Sequence, residues 1–188
     1  MKILVSGCLL GENCKYNGGN NYSEKVAEYI KGHEVISACP ECLGGLPTPR
    51  VPAEIVNGVV TNREGKNVDA EFRKGAKIAL EIAKKEKIDL VILQSRSPSC
   101  GVKQRYDGTF TGKLVDGAGV TAELLMEHGF RCLDVEDLVE IHEGIVIRKL
   151  QPEEVELLKD FLYEAIFIPE GEIWQMTEFR HPHARNHS

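Results

Sequence analysis

Four short apolar runs, separated by stretches with helical spacing, constrain this chain more than any other feature. The runs are Ile3-Leu4-Val5, Val35-Ile36, Leu90-Val91-Ile92-Leu93 and, more weakly, Phe130 to Leu133. Runs this short, with helical patterns between them, read as buried strands. Val26, Tyr29 and Ile30 are spaced to share one helical face, and Ser23 is placed to cap that helix. Phe72, Ala76, Ala79, Leu80 and Ala83 make a longer stripe that runs into Lys84, Lys85 and Lys87. Basic residues there suit the negative end of a helix dipole. Val120 to His128 reads as a third helix, stopped by Gly129. Strand alternating with helix predicts an α/β fold. The expected form is a Rossmann-like parallel sheet with right-handed crossovers, helices on both faces and long cysteine-bearing loops at the carboxyl edge.

Two stretches depart from this alternation. Cys39 to Pro52 holds Pro40, Gly44, Gly45, Pro47, Pro49 and Pro52, and neither a helix nor a sheet interior tolerates that density of breakers. Ser95 to Lys113 holds Pro98, Gly101, Gly108 and Gly112 and is likewise expected to be loop. Long ordered loops in a small domain are more often functional than idle.

The 188 residues suit one domain with an appendage. With 42% hydrophobic and 28% charged residues the chain can build a core and stay soluble, so extensive disorder is excluded. No apolar stretch approaches the roughly 20 residues of a membrane-spanning helix. The opening MKILVSGCLLGENC reads as a core strand, because Gly, Glu and Asn interrupt it and no small-residue cleavage site follows. A net charge of −6 argues against non-specific nucleic-acid binding, which needs a basic face. The expected partner is a small molecule, with neither nucleic acid nor membrane.

Six cysteines demand an explanation: Cys8, Cys14, Cys39, Cys42, Cys100 and Cys132. Without an export signal, reduced thiols in a cytoplasmic protein are the expected state. Cys8 follows the first strand, Cys39 the second, and Cys100 lies in the loop leaving the third. In a parallel α/β sheet, ligands bind outside the carboxyl ends of the strands. Three distant loops would therefore bring one thiol each to a single edge. Three thiolates without an obvious fourth suit zinc or an iron–sulfur cluster with an open coordination position. Each could alternatively be an ordinary buried cysteine. Cys132 lies within an apparent strand and reads as a core thiol. Cys14 could substitute as a ligand. Cys39 and Cys42 form C-P-E-C, but the helix that a redox C-x-x-C opens is expected to be missing.

Polar residues flank these thiols. Glu41, two residues past Cys39, and Ser97, three before Cys100, could move protons at the same edge. Arg50 and Asp107 are candidates for substrate contact. Arg50 could equally pair with a carboxylate, and Asp107 could simply order a turn. Gly44-Gly45 matches neither a dinucleotide fingerprint nor a Walker A loop.

These loops resemble a known family. They are Ser6-Gly7-Cys8-Leu9-Leu10-Gly11, Tyr16-Asn17-Gly18-Gly19, C-P-E-C-L-G-G-L-P-T-P-R at 39–50, R-S-P-S-C-G at 96–101 and Y-D-G-T-F-T-G at 106–112. In this order they resemble the thiouracil desulfidase family over roughly residues 1 to 138. The resemblance implies a 4Fe-4S cluster held by Cys8, Cys39 and Cys100 with one iron free. It implies that a thiolated pyrimidine or nucleoside of the 2-thiouracil type loses its sulfur without redox chemistry, giving uracil and sulfide. It maps the family's acid–base pair onto Glu41 and Ser97. Three positions depart from the family pattern: Asn17 stands where Asp is usual, Cys42 where an apolar residue is common, and Cys14 at a variable position. A non-enzymatic iron–sulfur or zinc-binding sensor is the alternative reading.

The character of the chain changes near Glu143. Gly144 to Arg148 reads as a strand, and Pro152 opens a helix to about Tyr163. Residues 147–167, I-R-K-L-Q-P-E-E-V-E-L-L-K-D-F-L-Y-E-A-I-F, resemble the first strand and helix of a GNAT-type acetyltransferase. The Gly-rich acetyl-CoA loop of that fold does not follow. The expected organisation is a desulfidase-like domain over 1–142 and an appended, truncated remnant over 143–188.

Overall fold

The computed structural model describes residues 1–138 and the backbone of 140–142 and 145–147. In chain order the elements are β1 (Lys2–Ser6), α1 (Glu24–Tyr29), β2 (Glu34–Ala38), α2 (Pro40–Leu43), β3 (Ala53–Val56), β4 (Val59–Asn62), α3 (Asp69–Lys85), β5 (Leu90–Leu93), β6 (Gln104–Tyr106), β7 (Leu114–Asp116), α4 (Val120–Glu127), β8 (Cys132–Asp134), β9 (Glu140–His142) and β10 (Ile145–Ile147).

The predicted apolar runs form one parallel sheet in the order β2-β1-β5-β8. Alternation along the strands divides the core between two faces. Leu4, Val91 and Leu93 pack with Leu80 and Ala83 of α3 and Leu125 of α4. Ile3, Val5 and Ile92 pack on the other face with Val26 of α1. Helices therefore cover both faces, as expected. Full burial of each large apolar side chain stabilises this arrangement by roughly 1.5–3 kcal/mol.

The helix ends follow their sequence signals. Ser23 Oγ accepts the Val26 amide at 3.3 Å and starts α1. α3 carries Asp69 and Glu71 in its first turn and Lys84 and Lys85 in its last, each at the pole it complements. Gly129, with φ of 81°, follows α4 where a side chain would be strained.

Two expectations need correction. The segment 39–52 is not free of helix: α2 opens directly after Cys39, which sits at its N-cap. Pro40 occupies the first helical position, where its missing N–H costs nothing. Gly44 is required by contact rather than by flexibility. A Cβ on Gly44 would lie 2.0 Å from the Glu71 carbonyl oxygen, and one on Gly75 would lie 1.8 Å from that of Pro40. Two glycines thus let α2 cross α3 with backbone against backbone. The stretch 95–113 is likewise not all loop, since β6 pairs antiparallel with β7. β3 and β4 form another hairpin. The buried Glu54 of β3 accepts the amides of Gly108 at 2.9 Å and Phe110 at 3.0 Å, tying the 106–112 loop to that hairpin.

The strand expected over 144–148 is present as β10, which pairs antiparallel with β9. All described elements belong to a unit spanning 1–148. The helix expected from Pro152 and most of the acetyltransferase-like stretch lie outside the described residues. Among the described residues no helix is long and apolar enough to cross a membrane.

Candidate active site

Adjacent strands of a sheet lie about 4.8 Å apart, so the loops leaving β2, β1 and β5 emerge side by side. Cys8 stands on a 3-10 turn, Gly7–Leu10, that begins where β1 ends. The Glu12 carboxylate packs over Gly7, 2.4 Å from where a Cβ would stand, so a side chain there would push the Glu12 tip aside. Cys39 follows β2 directly. Cys100 lies on a loop locked in place by α4. The first amides of α4 have no side-chain cap. Instead Val120 N donates to the Pro98 carbonyl and Thr121 N to that of Ser99, both at 2.9 Å. The helix start is thereby satisfied, and the cysteine loop gains a rigid floor.

The three cysteines line one cavity of about 890 Å³, with Cys14, Glu41, Arg50 and Ser97 also in its wall. All six cysteines of the chain are free thiols. Burial first, then the nearby Glu41 and Cys39 charges, push the Cys100 thiol up to about 12, against hydrogen bonds from Ser6 and Ser99. Cys14 is favoured by its contact with the Cys39 thiol, but the Cys8 thiol and burial outweigh this and push it up to about 12. The contact with Cys14, together with burial, raises Cys39. Burial and crowding together raise these thiols; a bound cation inverts that balance and deprotonates a coordinating thiol. Among the described residues no three His, Cys, Asp or Glu side chains close to single-ion distance. A polynuclear cluster, with each thiolate on a different iron, asks for a wider set.

Glu41 sits beside the thiols on α2. The Arg50 guanidinium binds it through Nη2 at 2.5 Å and Nε at 2.7 Å, with both side chains largely buried. The same guanidinium donates to the carbonyls of Cys14 at 3.0 Å and Pro47 at 3.2 Å. Ser97 Oγ accepts the amides of Ser99 at 3.0 Å and Cys100 at 3.1 Å. Its hydroxyl proton is thereby directed at Glu41 Oε1, 3.4 Å away. Glu41, Ser97 and Arg50 are thus one connected group.

Other candidates fall elsewhere. Cys42 is exposed, its sulfur 3.6 Å from Thr48 Oγ1 and outside the cavity wall. Cys132 lies in β8 against the α3–α4 side of the core, where burial pushes its thiol up to about 11. The Asp107 carboxylate is spent on its own turn, accepting the Thr109 amide at 2.9 Å and hydroxyl at 2.5 Å. It is not among the residues lining the cavity. Phe110 and Arg63 do line it, and they stack 5.8 Å apart, a contact with no local sequence signature.

The model of a family described as 2-thiouracil desulfurase matches residues 3–137. The chain belongs to the 2-thiouracil desulfurase family. A curated relative of this desulfurase-family chain, the uncharacterized protein YbbK of Bacillus subtilis (strain 168), is 41% identical over 149 residues, covering 74% of this chain and 99% of its own length. Among solved structures, a 4Fe-4S-dependent thiouracil desulfidase, TudS, aligns with a TM-score of 0.68 at 36% identity, covering 84% of this chain and 97% of the other. The family membership inferred from the motifs and the α/β architecture inferred from strand–helix alternation are both borne out.

Proposed function

We propose that this desulfurase-family protein removes sulfur from a thiolated pyrimidine of the 2-thiouracil type, giving uracil and sulfide, with a 4Fe-4S cluster held by Cys8, Cys39 and Cys100. The observation that carries the reading is the convergence of three strand-end thiols on a cavity that also holds the Glu41–Ser97 pair. Soft thiolate donors fit an iron–sulfur cluster better than a hard cation. The 4Fe-4S dependence of the solved relative, TudS, supports the same cofactor. Such a cluster supplies a Lewis-acidic iron for the thiocarbonyl sulfur.

The chain's own residues supply the rest. Water must add to the ring carbon as the carbon–sulfur bond breaks, so a proton has to leave that water. The Glu41 carboxylate is the acceptor within reach of the thiols. Arg50 holds it in one rotamer beside the thiols. Ser97 relays a proton between Glu41 and the reacting group, its oxygen fixed by two backbone amides. The overall reaction is hydrolytic: thiouracil and water become uracil and hydrogen sulfide, with no net electron transfer.

The test is sulfide release from 2-thiouracil by anaerobically reconstituted protein. Glu41→Gln should keep its cluster spectrum and lose turnover by roughly 10²–10⁴-fold, the usual span for an acid–base group. Full activity in that variant would remove Glu41 from the chemistry. A wild-type chain that carries the cluster but releases no sulfide from base or nucleoside would be a sensor instead.

A further inference from the structure

A fourth thiol faces the same cavity, and the three-cysteine ligand set leaves it without a task. We propose that Cys14 is a removable fourth thiolate ligand, closing the free iron of the cluster at rest and giving way to the substrate's sulfur. The inference rests on the cluster reading above.

Cys14 is 9% exposed and lines the cavity together with Cys8, Cys39 and Cys100. Its thiol neighbours both the Cys8 and the Cys39 thiols. Cys42, the other surplus thiol near the site, is exposed and outside the wall. A soft donor beside two occupied corners of a cubane has a free iron as its natural partner.

The backbone that carries Cys14 differs from that of the other three. Cys8, Cys39 and Cys100 stand at ends of hydrogen-bonded strands or on the loop that α4 holds. Cys14 stands on the 11–21 loop, beyond the 3-10 turn that follows β1, and hydrogen bonds hold that loop's backbone in place. Arg50 Nη2 donates to the Cys14 carbonyl at 3.0 Å, and Arg50 N to that of Tyr16 at 2.7 Å. Lys15 N donates to Gly19 O at 3.0 Å. The Cys39 thiol lies 3.8 Å from the same Cys14 carbonyl. The main chain of Cys14 is thus pinned, and χ1 is the one rotor between that backbone and the sulfur. A thiol so placed can leave an iron without moving the loop.

The exchange balances without an oxidant. The bond from iron to the Cys14 sulfur breaks, one from iron to the substrate's sulfur forms, and the released thiolate takes up one proton from solvent, which it returns to solvent when it rebinds the iron. Arg50 couples the two events, since one guanidinium holds the Glu41 carboxylate and the Cys14 carbonyl. The site would then stay closed to adventitious ligands until a thiocarbonyl arrives.

Mössbauer spectroscopy of the ⁵⁷Fe-reconstituted full chain reads the coordination of each iron directly. The expected result for the wild type at rest is four sulfur-ligated irons. Cys14→Ala should lose that all-sulfur signature at one iron of the four, and Cys42→Ala should leave the spectrum unchanged. An oxygen- or nitrogen-ligated iron already present in the resting wild type would overturn the inference, whether or not the Cys14 variant folds. So would a Cys14→Ala spectrum identical to the wild type. These two results leave the desulfidase reading standing; a wild-type chain that assembles no cluster takes down both.

Discussion

Replacing Gly75 by Ala sets two physical effects against each other. Gly75 lies inside the 17-residue helix α3, and alanine in a helix interior is favoured over glycine by about 0.5–1 kcal/mol. On helix propensity alone the variant should be more stable. The structure reverses the sign. A Cβ at this position would lie 1.8 Å from the Pro40 carbonyl oxygen and 3.0 Å from the Gly44 amide. Ordinary contact begins at 3.4 Å, so α2 would have to retreat by about 1.6 Å. Both contacts are backbone, and no flexible side-chain tip can yield. Overpacking of this kind costs about 1–3 kcal/mol, so the net change should be a loss of about 1–2 kcal/mol once the helix gain is offset. The functional loss should be larger, because α2 carries Glu41 and begins at Cys39. A misplacement near 1 Å costs on the order of 10²-fold in rate. Urea unfolding, cluster absorbance and sulfide release from 2-thiouracil would each be measured on the variant. A raised denaturation midpoint with unchanged cluster content would refute the backbone crossing as the device that positions these two residues.

Arg50→Met should destabilise the fold by about 3 kcal/mol at neutral pH, because it strands the largely buried Glu41 carboxylate without a partner; an unchanged denaturation midpoint would contradict the pairing. In the cluster-free protein Cys132, with its thiol pushed from 9.0 to about 11, should react with iodoacetamide at pH 8 about 100-fold more slowly than an ordinary thiol. Its rate should climb with pH until the thiolate dominates near 11. Removing residues 149–188 should spare both cluster and sulfide release, since every proposed site residue precedes Gly112, and saturable acetyl-CoA binding by the intact chain would argue against the remnant reading of that segment.

The strands and long helices are legible because their signals are local. The short unbroken apolar runs of β1 and β5 announce buried strands, and the stripe from Phe72 to Ala83 announces a buried helix face, each within a single element. The strand-end thiols are legible for a topological reason: parallel strands deliver their following loops to one edge, whatever the sequence distance. What escapes is contact between distant backbones. Pro40 and Gly44 look like breakers because propensity is a local average, yet Pro40 suits a first helical turn and Gly44 answers to Glu71. Glu54 gives no hint that it anchors amides 54 and 56 residues away. Arg50 is ambiguous in the sequence for the same reason, as only the fold of α2 brings Glu41 under its guanidinium.

The strand order has a consequence for the life history of the protein. The middle ligand of the set, Cys8, is synthesised first, and the β5 strand that carries the loop of Cys100 can take its place beside β1 only after some ninety residues of chain have been made. A nascent chain therefore holds at most an incomplete set of thiols, Cys8, Cys14 and Cys39, until β5 docks. The α4 amides that brace the Cys100 loop come later still. Iron and sulfide delivered during translation would meet a partial chelator, whereas delivery after release from the ribosome meets a finished socket.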